Sequence, residues 1–95
     1  MDLSHNNLGD KAIRALVEFF VYGNIFVRCL KLHGNRMGKG SMQALANYVA
    51  RVPVSELHLS HNYIDQRGFC FFVSEVVYTQ YFLLYDFNFQ IHVLF

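Results

Sequence analysis

The sequence predicts an α/β solenoid: a horseshoe arc with a parallel inner sheet and outer helices. Three observations predict it. A six-residue phrase recurs, as MDLSHN at 1–6, LKLHGN at 30–35 and LHLSHN at 57–62. Behind each copy stands an apolar stripe at helical spacing. Between phrase and stripe lies a short run rich in glycine and acidic or amide residues, the composition of a turn.

The phrase comes first in each unit. Aligned on Asn6, Asn35 and Asn62, the leucine three places earlier is Leu3, Leu32 or Leu59, and five places earlier stand Met1, Leu30 and Leu57. From Leu3 to Leu32 the period is 29 residues, and from Leu32 to Leu59 it is 27. Two apolar residues separated by one polar residue point the same way in a strand, and the residue between them points the other way. The phrase therefore reads as a short strand that ends at asparagine.

The turn and the helix follow. Leu8, Met37 and Ile64 share a slot, and the chain then turns through Gly9-Asp10, Gly38-Lys39-Gly40 or Asp65-Gln66. Asp10 and Asp65 are candidate N-caps. The helix stripe occupies four slots: Ile13, Met42 and Phe69; Leu16, Leu45 and Phe72; Val17, Ala46 and Val73; Phe20, Val49 and Val76. These are spaced i, i+3, i+4 and i+7, one face of an amphipathic helix. A single unit cannot bury that face, so each unit serves as the wall of its neighbour, and about three are needed for stability. Helices are wider than strands, so the stack curves with the sheet inside.

The pattern L-x-L-x-x-N-x-L, three times in register with a helix stripe behind it, resembles the leucine-rich repeat family and, more narrowly, its ribonuclease-inhibitor-like subtype. The resemblance covers Met1 to about Val76. It implies that each asparagine side chain sits inside the turn and bonds to backbone of the neighbouring coil. It also implies that the concave strand face is the usual contact region, with a protein as the partner.

The two ends depart from the pattern. Met1 falls in a leucine slot with no polar cap before it, which suggests a piece of a longer array. Residues 1–76 read as three repeats, and 77–95 as an irregular aromatic segment. From Tyr85 to Val93, Tyr85, Phe87, Phe89, Ile91 and Val93 alternate with Asp86, Asn88, Gln90 and His92. That period predicts a strand over 83–93, added to the C-terminal edge of the sheet. Two other readings stand beside it: sequence foreign to the repeat, and a membrane segment. The alternating polar residues oppose the last, since each would meet lipid.

Composition narrows the function. A net charge of +1 gives no basic surface for nucleic acid. Two cysteines make no disulfide framework, and Cys29 and Cys70 fall on distant slots, so both are expected as free thiols. The polar opening Met1-Asp2-Leu3-Ser4-His5 lacks an apolar signal core, which predicts a reducing, cytoplasmic setting. The run GNRMGKGS at 34–41 has Gly-Lys-Gly where a phosphate loop needs Gly-Lys-Ser or Gly-Lys-Thr, and the strand-to-helix turn accounts for it.

The residues that alternate with the strand leucines are the candidate site. Asp2, Lys31 and His58 form one row across adjacent strands, and Ser4, His33 and Ser60 the next. Glu56 and Cys29 flank the same face, and His5, Gly34 and His61 follow just beyond it. The partner-binding residues are accordingly Asp2, Ser4, Lys31, His33, Glu56, His58 and Ser60. The same mixed-sign row also suits a solvated surface that binds nothing. Ser60, His33 and Asp2 or Glu56 are the residue types of a hydrolytic triad, but a shallow sheet offers no pocket. His33 and His58 are diagonal neighbours, yet the histidine spacing brings no three ligands to one point. No catalytic residue, cofactor or metal is expected. The predicted function is a non-catalytic protein–protein interaction module, a scaffold or recognition segment. The alternatives are a substrate-positioning fragment of an enzyme or regulator, and a partial gene product without function. A membrane partner is not expected, and oligomeric state is open.

Overall fold

The computed structural model describes residues 1–52, 54–83 and 90–92, with side chains over 1–52 and 54–76. Helices and strands alternate: α1 (Asp10–Tyr22), β1 (Cys29–Lys31), α2 (Lys39–Arg51), β2 (Glu56–His58), α3 (Gln66–Leu83) and β3 (Gln90–His92). The strands form a small parallel sheet in the order β1-β2-β3. Its register aligns Leu30 with Leu57 and Leu57 with Ile91. The fold is thus mixed α/β, with helical crossovers between parallel strands, as parallel pairing requires.

The first copy of the phrase joins this sheet without becoming a regular strand. Asp2 pairs with Lys31 as an isolated parallel bridge. The Lys31 amide donates to the Met1 carbonyl and the Leu3 amide to the Lys31 carbonyl, both at 2.9 Å, and the His5 amide donates to the His33 carbonyl at 3.0 Å.

The leucines face the helices. Leu30, Leu32, Leu57 and Leu59 are fully buried, together with Ile13, Met42, Leu45 and Phe72 from the helix stripes. Each such side chain contributes about 1.5–3 kcal/mol through burial. The requirement for a neighbour is visible in one slot. Tyr48 on α2 is wholly buried, packs on Phe20 of α1 with ring centroids 5.5 Å apart, and donates its hydroxyl to the Ile25 carbonyl at 2.9 Å. Phe19, the matching residue on α1, is 63% exposed. Among the described residues α2 packs against both α1 and α3, and α1 against α2.

The asparagines close the turns. Asn35 is buried; its Oδ1 accepts from the Asn6 and Leu8 amides, both at 3.0 Å, and its Nδ2 donates to the carbonyls of Leu3 (3.1 Å) and Leu32 (2.9 Å). Asn62 repeats the arrangement one unit on, accepting from the Met37 amide at 3.0 Å and donating to Leu32 (3.0 Å) and Leu59 (3.1 Å). Asn6 is exposed, and its side chain makes no hydrogen bond among the described residues. Asn35 and Asn62 thus each reach the unit that precedes them.

The residue before each asparagine adopts a left-handed backbone: φ is 57° at His5, 71° at Gly34 and 58° at His61. This conformation strains residues with a Cβ, histidine less than most. At Gly34 a Cβ would also run into the His5 ring.

Two expectations need correction. Asp65 caps α3, accepting from the Gly68 amide at 2.7 Å. Asp10 does not cap its own helix. α1 begins after Gly9 with no side-chain cap. The Asp10 carboxylate instead caps α2, accepting from the Gly38 amide (2.7 Å), the Ser41 amide (3.0 Å) and the Ser41 hydroxyl (2.6 Å). Side-by-side packing sets the first turn of α1 against the start of α2, which has only Gly38 at its own cap position. The lack of a side chain at Gly40 makes room, since a Cβ there would press on Asp10 at 3.2 Å.

The second correction concerns the tail. The stripe ends at Val76, but α3 continues to Leu83, because no glycine or proline interrupts 69–83. Leu83 is therefore helical rather than the start of a strand. Of the strand expected over 83–93, Gln90–His92 pairs in parallel with β2 at the sheet edge, and the rest lies outside the described residues. Upstream, α2 stops at Val52, whose extended backbone (φ −131°, ψ 132°) is what a residue before proline prefers. Among the described residues no helix is long and apolar enough to cross a membrane.

Candidate functional site on the open sheet face

Strand alternation separates two faces. Leu30 and Leu57 point to the helices, so Cys29, Lys31, Glu56 and His58 point away from them, all half-buried. Backbone pairing aligns Asp2 with Lys31 and Lys31 with His58, as the repeat alignment predicts. This row carries an acid, a base and an imidazole. Asp2 is exposed, and Ser4 donates to its carboxylate from both hydroxyl (2.5 Å) and amide (3.0 Å). Those two bonds, the hydroxyl first, hold the Asp2 carboxyl below its ordinary range, with Lys31 and His33 adding a smaller attraction.

Histidine rings line the face beside this row. His5 meets His33 edge-on with centroids 5.1 Å apart, and His33 lies 6.2 Å from His58. Glu56 and His58 form a contact of 2.7 Å between Oε1 and Nε2, with side chains 38% and 22% exposed. Ser60 and His33 are half-buried, and the Gly34 amide donates to the Ser60 carbonyl at 2.9 Å. The structure thus brings Asp2, Lys31 and His58 into one row, Ser4 onto Asp2, Glu56 onto His58, and His33 between His5 and His58.

Of the residue types named for a triad, Asp2 is bonded to Ser4 and Glu56 to His58. In the phosphate-loop reading an anion would sit on the amides that open α2. The Asp10 carboxylate occupies that place. Burial alone would raise the Asp10 carboxyl, but the Ser41 hydroxyl and the Gly38, Ser41 and Gly40 amides outweigh it and hold it below its ordinary value. A groove of about 330 Å³ opens on the helix side, lined in part by Arg14, Glu18, Gln43, Asn47 and Arg51, and is separate from the sheet face.

The sequence places Cys29 only at the margin of this face. Register puts it opposite Glu56, in the same group as His58. Cys70 is exposed on α3, and both thiols are free.

With this geometry established, likeness to known proteins narrows the class. The family model described as leucine-rich repeat matches residues 1–17, which span the first phrase and the first half of α1. The match supports a leucine-rich repeat there. No curated protein and no solved structure matches the chain.

Proposed function

We propose that the chain is a non-catalytic protein–protein interaction module, a scaffold or recognition segment that presents the open sheet face to a partner protein. It comprises three repeats of the ribonuclease-inhibitor-like subtype over 1–76, stacked as a solenoid, and it works in the cytoplasm. One observation carries the reading. Parallel backbone pairing sets Asp2, Lys31 and His58 in one row, with His33 and Glu56 beside it. A row of mixed charge at strand spacing of about 4.8 Å matches polar and charged groups on a facing chain, and such complementarity sets specificity more than affinity. The leucine-rich repeat match over residues 1–17 supports the class.

The test is an affinity capture with the full chain and two charge reversals. Lys31→Glu alters the sheet face, and Lys11→Glu alters the exposed side of α1. Partners captured by the wild type and by Lys11→Glu are expected to be lost from Lys31→Glu. Equal capture by all three chains would overturn the sheet-face assignment.

A further inference from the structure

The open face holds a set of donor atoms that protein binding does not call for. Cys29 Sγ, a Glu56 carboxylate oxygen and a His58 ring nitrogen all lie within 4.8 Å of one another. The backbone places them there. Cys29 and Glu56 are register partners on β1 and β2, and His58 stands two residues beyond Glu56 on the same side of β2. All three residues are half-buried, so part of the desolvation that a bound ion needs is already in place.

We propose that Cys29, Glu56 and His58 form a binding site for a divalent transition-metal ion, with zinc the best match. Thiolate, carboxylate and imidazole are zinc's three protein ligand types, with bonds of about 2.0–2.3 Å. Tetrahedral geometry at those lengths separates neighbouring ligand atoms by about 3.3–3.6 Å. The Glu56–His58 contact of 2.7 Å therefore opens by about 0.6 Å or more, and Cys29 turns inward. Side-chain rotation accomplishes both, and the strand register is unchanged. A set that mixes sulfur, nitrogen and oxygen excludes magnesium and calcium, which take oxygen alone. Three protein ligands leave a fourth position for water or a further donor. Histidine spacing alone pointed to no such site, because the ligands come from two strands and only one is a histidine that spacing would count.

A metal here ties β1 to β2 from the side opposite the leucine core and adds stability by mass action. The site shares Glu56 and His58 with the proposed protein-binding face but does not rest on that reading.

The test is titration of the full, reduced chain with Co²⁺ as a spectroscopic probe, followed by displacement with Zn²⁺. We expect one Co²⁺ per chain, a thiolate-to-cobalt charge-transfer band in the near ultraviolet, and loss of that band as Zn²⁺ enters. Cys29→Ser is expected to abolish the band. Cys29→Ser, Glu56→Gln and His58→Gln should each weaken Zn²⁺ binding about tenfold or more, the scale reached even by losing a ligand's supporting partner. Cys70→Ser is expected to bind like the wild type. Circular dichroism of each metal-free variant checks that it folds; if Cys29→Ser does not, the Glu56→Gln and His58→Gln affinities decide. Absence of the band in the wild type, its loss in Cys70→Ser, or undiminished Zn²⁺ affinity in the folded ligand variants overturns the site. The capture experiment turns on Lys31, which is not a ligand, so the two readings fail separately.

Discussion

Replacing Asn35 with alanine tests the turn chemistry directly. The side chain is 4% exposed and takes part in four short hydrogen bonds: two accepted from Asn6 and Leu8, two donated to Leu3 and Leu32. Alanine removes all four but does not orphan every partner. The Leu32 carbonyl keeps the Asn62 amide at 3.0 Å. The groups left without that bond are the amides of Asn6 and Leu8 and the carbonyl of Leu3. A fully buried orphan costs about 1–3 kcal/mol. Asn6 is exposed and Leu3 and Leu8 are half-buried, so water restores part of the loss. The expected destabilisation is about 2–4 kcal/mol, a large share of the roughly 5–10 kcal/mol that holds a domain of this size. Asn6→Ala removes an exposed amide from the same place in the repeat and should shift stability by no more than about 0.5 kcal/mol. Urea unfolding followed by far-ultraviolet circular dichroism measures both, with unchanged slopes confirming that midpoints report stability. Equal midpoint shifts for the two variants would refute the reasoning.

Further outcomes follow from other contacts. Asp10→Ala should cost about 1–2 kcal/mol at neutral pH, the scale of a lost helix cap, although the helix affected is α2. The Asp10 carboxyl is held below its ordinary value of 3.8, so its contribution is complete above that pH and is lost as pH falls through the lower, folded value. Melts of wild type and Asp10→Ala should therefore stay separated down to about pH 4 and draw together only as the pH falls further, and melts that never draw together in acid would count against the cap. Gly34→Ala should cost about 1–2 kcal/mol for a left-handed residue with a Cβ, and more by whatever the clash with the His5 ring adds. His5→Ala in the same chain should recover the clash but not the backbone strain, as a double-mutant cycle would show. Tyr48→Phe leaves the ring packed and removes its bond to Ile25, a loss of about 1 kcal/mol that calorimetry can resolve.

Much of the architecture was legible in the sequence, because the information was local and repeated. Leu30, Leu32, Leu57 and Leu59 are buried at the positions their alternation assigns, and the stripe residues Ile13, Met42, Leu45 and Phe72 join them. The row of Asp2, Lys31 and His58 followed from alignment alone. What stayed hidden depends on packing between units. Asp10 stands one residue inside α1, where local rules name it a cap, yet its acceptor is spent on a helix 28 residues on. Nothing local marks the continuation of α3 past Val76 except the lack of a breaker. Cys29 read as a lone thiol because its neighbours Glu56 and His58 arrive through strand register.

The polar links between units have a direction. Between the first two they run both ways: Asp10 reaches forward to the start of α2, and Asn35 reaches back to Asn6 and Leu8. Between the second and third, Asn62 reaches back to Met37, but Lys39 stands where Asp10 stood, and α3 carries its own cap in Asp65. α3 could detach with its opening turn still satisfied, whereas α2 torn from the first unit would bare amides that nothing in its own unit covers.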